Sequence, residues 1–184
     1  MRIIAGTYKG FRLNAFPGND IRPTPSKIRE AIFDIISTKV LGSDFLDLFA
    51  GTGAVGIEAF SRGAKSVTFV DFDYTTISLI KNNLKKIYQN DFSQVIKNNY
   101  IQAIKLLNLE QKKFDIIFLD PPYNKNYALT SLREIDQGAL AKEGAIIVVQ
   151  HPIKYEIKEN FKNLVCLKEK KYGKSGITIF SYQQ

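Results

Sequence analysis

Asp47-Leu48-Phe49-Ala50-Gly51-Thr52-Gly53-Ala54-Val55-Gly56-Ile57-Glu58 carries a short apolar run through a glycine-rich turn into a segment of helical spacing. Glycines at such a junction let the backbone turn tightly while a ligand approaches it, and the helix start beyond offers unpaired N–H groups. The spacing Gly-x-Gly-x-x-Gly serves dinucleotides as well as other nucleoside ligands, so the surrounding acids decide between them. Asp71 closes the next apolar run, where a carboxylate can accept from both ribose hydroxyls. Asp47 sits just before the turn and suits a cationic amino group better than a pyrophosphate. The combination favours S-adenosylmethionine over NAD.

Outward from this turn the chain alternates in type. Phe45–Phe49, Ser66–Val70, Ser93–Ile96, Phe114–Leu119 and Ala145–Val149 are short, apolar and often β-branched. Between them Ile57–Phe60, Ile77–Ile87 and Ile101–Leu107 have helical spacing, which predicts a parallel sheet covered on both faces. Leu164–Leu167 and Ile177–Phe180 read as an antiparallel hairpin at the end of the chain. Upstream, Gly6, Gly10 and Pro17-Gly18 break short alternations into an extended hairpin, with Phe11 expected in its core. Arg22-Pro23-Thr24-Pro25 stops that region, and Ser26 is placed to cap an amphipathic helix from Lys27 to about Lys39.

A second chemical signal lies where the fourth apolar run ends. Phe114–Leu119 runs straight into Asp120-Pro121-Pro122-Tyr123, and the two prolines force a rigid turn at the carboxyl end of the sheet. The exocyclic amine of a nucleobase is a poor nucleophile because its lone pair is delocalised into the ring. A carboxylate and a backbone carbonyl that accept its two hydrogens can rehybridise the nitrogen and aim that lone pair at a methyl group. Tyr123 offers a face on which an extruded base can stack.

Length and composition set the bounds. At 184 residues, with 45% apolar and 24% charged residues, one self-folding globular domain is expected. The single cysteine, Cys166, forms no internal disulfide, and with one histidine it builds no zinc site; a reducing cytoplasm and no metal are expected. No apolar stretch reaches the roughly 18 residues of a membrane span, and Met1–Gly6 leads directly into polar sequence, so neither membrane insertion nor secretion is expected. The net charge of +8 is uneven: residues 1–29 carry +5, residues 154–174 carry +4 and the remainder is near neutral. Concentrated positive charge at both ends marks a polyanionic partner, so Arg2, Lys9, Arg12 and Arg22 at one end, with Lys171 and Lys174 at the other, are the candidate RNA contacts; uncharged Thr24, two residues after Arg22, is a candidate beside them.

Together these motifs resemble a known family. Met1-Arg2-Ile3-Ile4-Ala5-Gly6, Tyr8-Lys9-Gly10, Arg22-Pro23-Thr24, Ile28-Arg29-Glu30-Ala31-Ile32-Phe33 and Lys171-Tyr172-Gly173 join the two turns in a pattern similar to the bacterial 16S ribosomal RNA guanine-N2 methyltransferases, the RsmD family. The resemblance spans essentially the whole chain and places it among the class I S-adenosylmethionine-dependent methyltransferases. It implies an α/β, Rossmann-like sheet of seven mostly parallel strands with the last antiparallel. An N-terminal β-hairpin at 1–24 is appended to a cofactor-binding catalytic core at 25–184. The implied cofactor residues are Asp47, Phe49, Ala50, Gly51, Thr52, Gly53, Asp71, Asn99 and Asp120. The implied catalytic residues are Asp120, Pro121, Pro122 and Tyr123.

Where relatives tend to have an acid near the cofactor's adenine amine, this chain has Asn98-Asn99, whose amide oxygen still accepts a hydrogen bond. His151 reads as a loop residue at the end of the fifth strand. The implied substrate is a guanine of small-subunit RNA already loaded with ribosomal proteins, and the implied enzyme is a monomer. A DNA adenine-N6 or transfer RNA amino methyltransferase would use the same Asp-Pro-Pro-Tyr turn, but a sequence-specific DNA enzyme ordinarily needs a further recognition domain. A catalytically silent RNA-binding module or an NAD-linked oxidoreductase would not need that turn.

Overall fold

The computed structural model describes residues 1–15, 26–87, 93–122 and 126–184. The expected turn at Pro17-Gly18, and Arg22, Thr24 and Tyr123 among the candidate site residues, lie outside them. In chain order the elements are α1 (Ser26–Val40), β1 (Asp44–Asp47), α2 (Ala54–Ser61), β2 (Ser66–Asp71), α3 (Tyr74–Ile87) and β3 (Ser93–Lys97). They continue with α4 (Tyr100–Leu109), β4 (Phe114–Leu119), α5 (Tyr127–Gln137), β5 (Ala141–Pro152), β6 (Leu164–Tyr172) and β7 (Ser175–Tyr182).

The strands form one sheet in the order β3-β2-β1-β4-β5-β7-β6. Pairs among β1 to β5 are parallel, whereas β7 inserts antiparallel between β5 and β6. The expected sheet, with its antiparallel last strand, is therefore present. Its central strands are buried on both faces, which is why they read as unbroken apolar runs. Phe45, Phe69, Phe118 and Val148 point into a core capped by α1, α2 and α3, while Leu46, Val70, Leu119 and Val149 point into a core under α4 and α5. Among the described residues no helix is long and apolar enough to cross a membrane.

Several expectations are corrected. The helix α5 was not read from the sequence, because its buried face mixes Leu132 and Ile135 with Ser131 and Asp136. Asp136 pins the approach to β6 by accepting from the amides of Lys162, Asn163 and Leu164. Among the described residues the N-terminal hairpin shows one antiparallel bridge, Arg2 with Arg12, supported by Ile3 N–H to Phe11 O (3.1 Å) and Leu13 N–H to Met1 O (3.0 Å). Phe11 is exposed instead of central; Ile3 and Leu13 enter the core in its place.

Contacts with α1 and α2 also hold this extension. The buried Glu58 carboxylate accepts from Ile4 and Ala5 N–H (2.8 and 2.9 Å), and Ser61 Oγ accepts from Tyr8 N–H. The Tyr8 ring stacks on Phe60. Arg29 of α1, fully buried, donates to Arg2 O at 2.6 Å and lies 3.6 Å from Glu58. The extension is thereby fixed next to the glycine turn, where the Thr52 hydroxyl approaches Met1 Sδ at 3.9 Å.

Candidate active site

The glycine turn has the backbone that its sequence demands. Gly51 and Gly53 adopt φ of 52° and 75°, left-handed values that side chains disfavour, and Gly53 precedes α2 without a side-chain cap. The first N–H groups of α2 are thus presented at the carboxyl edge of the sheet. Gly56 has a different reason to be glycine: a Cβ there would lie 2.3 Å from the Phe69 ring, so it is required by close packing of α2 on β2.

Three acids converge on this edge from neighbouring strands. Asp47, at the end of β1, is 1% exposed; its Oδ2 accepts from Gly56 N–H at 3.0 Å, while its Oδ1 is buried without a partner. Burial pushes its carboxyl up to about 7, against the Gly56 hydrogen bond and with added repulsion from Asp120 and Asp71. Asp71, at the end of β2, accepts from Gly51 N–H (2.9 Å) and Asp73 N–H (3.0 Å), one bond to each oxygen. Burial raises its carboxyl too, and the backbone bonds from Asp73 and Gly51 oppose that rise. Asp120 follows β4 and is half-buried, with Pro121 buried behind it and Pro122 exposed.

The remaining expected residues divide. Ala50 and Thr52 are buried within the turn. Phe49 turns to the opposite face and joins Tyr100 and Tyr127 in an aromatic cluster with centroids 5.0–6.4 Å apart. Asn99 also caps α4: its amide oxygen accepts from Gln102 N–H at 2.9 Å, one of the two bonds that oxygen can take. His151 is corrected, being a strand residue paired with Gly176. Its Nδ1 donates to Pro152 O (3.0 Å), which leaves Nε2 to accept from the Thr178 hydroxyl (2.8 Å). Those bonds orient the ring as part of the sheet.

Arg2, Lys9, Arg12, Lys171 and Lys174 are all exposed. A bulge between Cys166 and Lys168 resets the alternation of β6, so that Lys168 and Lys170 pair with Ile179 and Ile177 on the face bearing the N-terminal extension. Lys171 takes the other face. Phe72 and Tyr74, each 70% exposed, escaped the sequence reading; they stand beside Asp71, where runs of apolar residues gave no cue. Gln150 lies buried next to the Asp-Pro-Pro turn, a proximity that only the β4–β5 register creates.

Residues 1–181 match the family model described as conserved hypothetical protein 95. The chain belongs to this family. Among relatives of the family it is 38% identical over 180 residues to the candidate rRNA methyltransferase YlbH of Bacillus subtilis, covering 98% of both chains. It is 34% identical over 151 residues to ribosomal RNA small subunit methyltransferase D of Haemophilus influenzae, covering 82% of this chain and 78% of the other. A solved candidate methylase of Haemophilus influenzae superposes with a TM-score of 0.81 at 30% identity, over 100% of this chain and 98% of that one. The family membership read from the N-terminal motifs and the two turns is therefore established.

Proposed function

We propose that this protein transfers a methyl group from S-adenosylmethionine to the exocyclic N2 of a guanine in small-subunit ribosomal RNA. The observation that carries the reading is the convergence of Asp47 and Asp120 across adjacent strands, one buried with an unpaired oxygen and the other at the head of a rigid diproline turn. The family relatives named as small-subunit RNA methyltransferases support the same substrate class.

The residues fit the cofactor. A buried carboxylate whose free oxygen finds no partner is the complement of a cationic amino group, and Asp47 is such a group. The N–H groups at the start of α2 and the lone pairs left on Asp71 suit the carboxylate and ribose hydroxyls of the same molecule. Phe72, next to Asp71, offers an exposed ring for the adenine. When bound, S-adenosylmethionine supplies a methyl already activated on sulfonium, and so the protein's work is mainly to position the acceptor.

Asp120 Oδ and the Pro121 carbonyl accept the two N2 hydrogens, directing the nitrogen lone pair along the line of transfer. Proline's fixed φ holds both acceptors in place. Tyr123 stacks on the base. With the cofactor bound, forming the N–C bond at the expense of its S–C bond would release one proton from N2, which Asp120 is placed to accept. Residues 1–24 and the core at 25–184 work as one domain, and the protein acts as a monomer in the cytoplasm on an assembled small-subunit particle. The test is nucleoside mass spectrometry of ribosomal RNA from cells with and without the protein; unchanged N2-methylguanosine in small-subunit RNA would refute the reading.

Two expected results follow from these roles. Asp71→Ala should weaken S-adenosylmethionine binding, with methyl transfer recovered at high cofactor concentration; a folded variant that added cofactor fails to rescue would remove Asp71 from the ribose site. Neutralising Arg2, Lys9, Arg12 and Arg22 together should weaken RNA binding and leave cofactor affinity unchanged, because phosphate contacts position the RNA. Each lost contact should reduce the slope of log affinity against log salt by about 0.7–0.9. If the salt slopes of wild type and variant coincide, the docking surface lies elsewhere, first in residues 168–174.

A further inference from the structure

Gln150 of β5 is 2% exposed, and its Oε1 is buried with no hydrogen-bond partner among the described residues. Native proteins pair nearly all such atoms, so an orphan of this kind calls for a reason. Its place in the sheet supplies one. The last parallel pair of β4 and β5 sets Leu119 opposite Val149, and one step further brings Gln150 beside Asp120. Side chains alternate along a strand: Val148 packs under α1 and α2, Val149 under α4 and α5. Gln150 therefore looks to the side of Val148 and of Ile177, its partner on β7, which is also the side of Asp47.

We propose that Gln150 is a specificity-determining residue that reads the Watson–Crick edge of the target base, its Oε1 accepting the N1–H of guanine. The inference rests on the guanine-N2 reading above. On guanine the N1–H stands next to the 2-amino group, so once Asp120 holds the amine, N1–H is the next donor along the edge. The amide also carries a donor, Nε2–H, for the O6 beyond it. A base whose N1 is an acceptor sets lone pair against Oε1 unless the amide turns over.

The test compares kcat/KM for wild type, Gln150→Leu and Gln150→Glu. The substrates are small ribosomal subunits reconstituted with RNA bearing guanine or 2,6-diaminopurine at the methylated position. Diaminopurine keeps the 2-amino group but has an acceptor at N1. Preference for guanine should be largest in Gln150→Glu, which has no donor to turn toward N1. It should be intermediate in wild type and close to one in Gln150→Leu, with about tenfold between the extremes. Cofactor affinity should stay within about twofold throughout.

Should Gln150→Leu be inactive on both substrates, the comparison of wild type with Gln150→Glu decides alone. Equal preferences overturn the proposal, and so does loss of cofactor binding in both variants, which would make Gln150 a structural residue. Wild-type protein that transfers nothing to guanine would instead overturn the parent reading.

Discussion

Asp120→Ala should lower single-turnover methyl transfer by about 10²–10³-fold, the range seen when one preorganised polar contact to a reacting group is removed. Cofactor affinity should hold. In the proposed mechanism Asp120 faces the acceptor amine, while its charge raises the Asp47 carboxyl by repulsion. Removing that charge lets Asp47 ionise more readily, so binding of a cationic amino group near neutral pH should stay the same or tighten slightly. Asp120→Asn keeps one acceptor oxygen and should fall between wild type and the alanine variant. Rapid-quench transfer and calorimetric binding on the same preparations separate the two effects. Near-normal turnover in Asp120→Ala would remove the residue from the mechanism. A parallel collapse of cofactor affinity would move it to the cofactor site.

What could be read from the sequence follows a physical pattern. The two turns were legible because each imposes a local backbone demand: left-handed φ at Gly51 and Gly53, and a fixed φ at two consecutive prolines. The sheet was legible because strands buried on both faces cannot hide their apolar character. Strand ends were less so; β5 extends from Ala141 to Pro152 and therefore takes in His151, which had read as a loop residue. Elements stabilised by tertiary polar contacts were not legible. The buried Asp136 of α5 makes sense only once the amides of residues 162–164 are known to reach it. The cap that Asn99 gives α4 was not read either, since nothing local distinguishes an amide that accepts from Gln102 N–H from one that does not. Gln150 and the bulge at Cys166/Lys168 depend on register, which no local pattern encodes.

Asp47→Asn should make the ligand-free protein more stable and the cofactor weaker, opposite changes from one atom. The Asp47 carboxyl sits at about 7 in the folded chain, above its ordinary 3.8, because burial opposes its charge. Over the window between those values the folded state keeps a proton that the unfolded state has released. Stability from this group is therefore highest below about pH 4, declines as pH rises toward 7, and stays low above it. A displacement of that size corresponds to about 4 kcal/mol, taken as an order of magnitude. The asparagine variant carries no charge to bury, so its unfolding free energy should lose that part of the slope and exceed wild type above pH 7. Its amide oxygen can still accept from Gly56 N–H, leaving the start of α2 supported. Cofactor binding should run the other way: in wild type it strengthens as pH rises to 7 and Asp47 ionises, whereas in Asp47→Asn it is weak and loses this dependence. Urea unfolding and calorimetric binding between pH 5 and 8 measure both trends. A variant with the wild-type pH slope in stability would show that Asp47 is not the strained acid. A variant with undiminished cofactor affinity would show that the unpaired Oδ1 does not meet the amino group. An acid that weakens the empty fold yet occupies the junction of β1 and the glycine turn is consistent with a site built for its ligand, with the surrounding sheet supplying the stability that it forgoes.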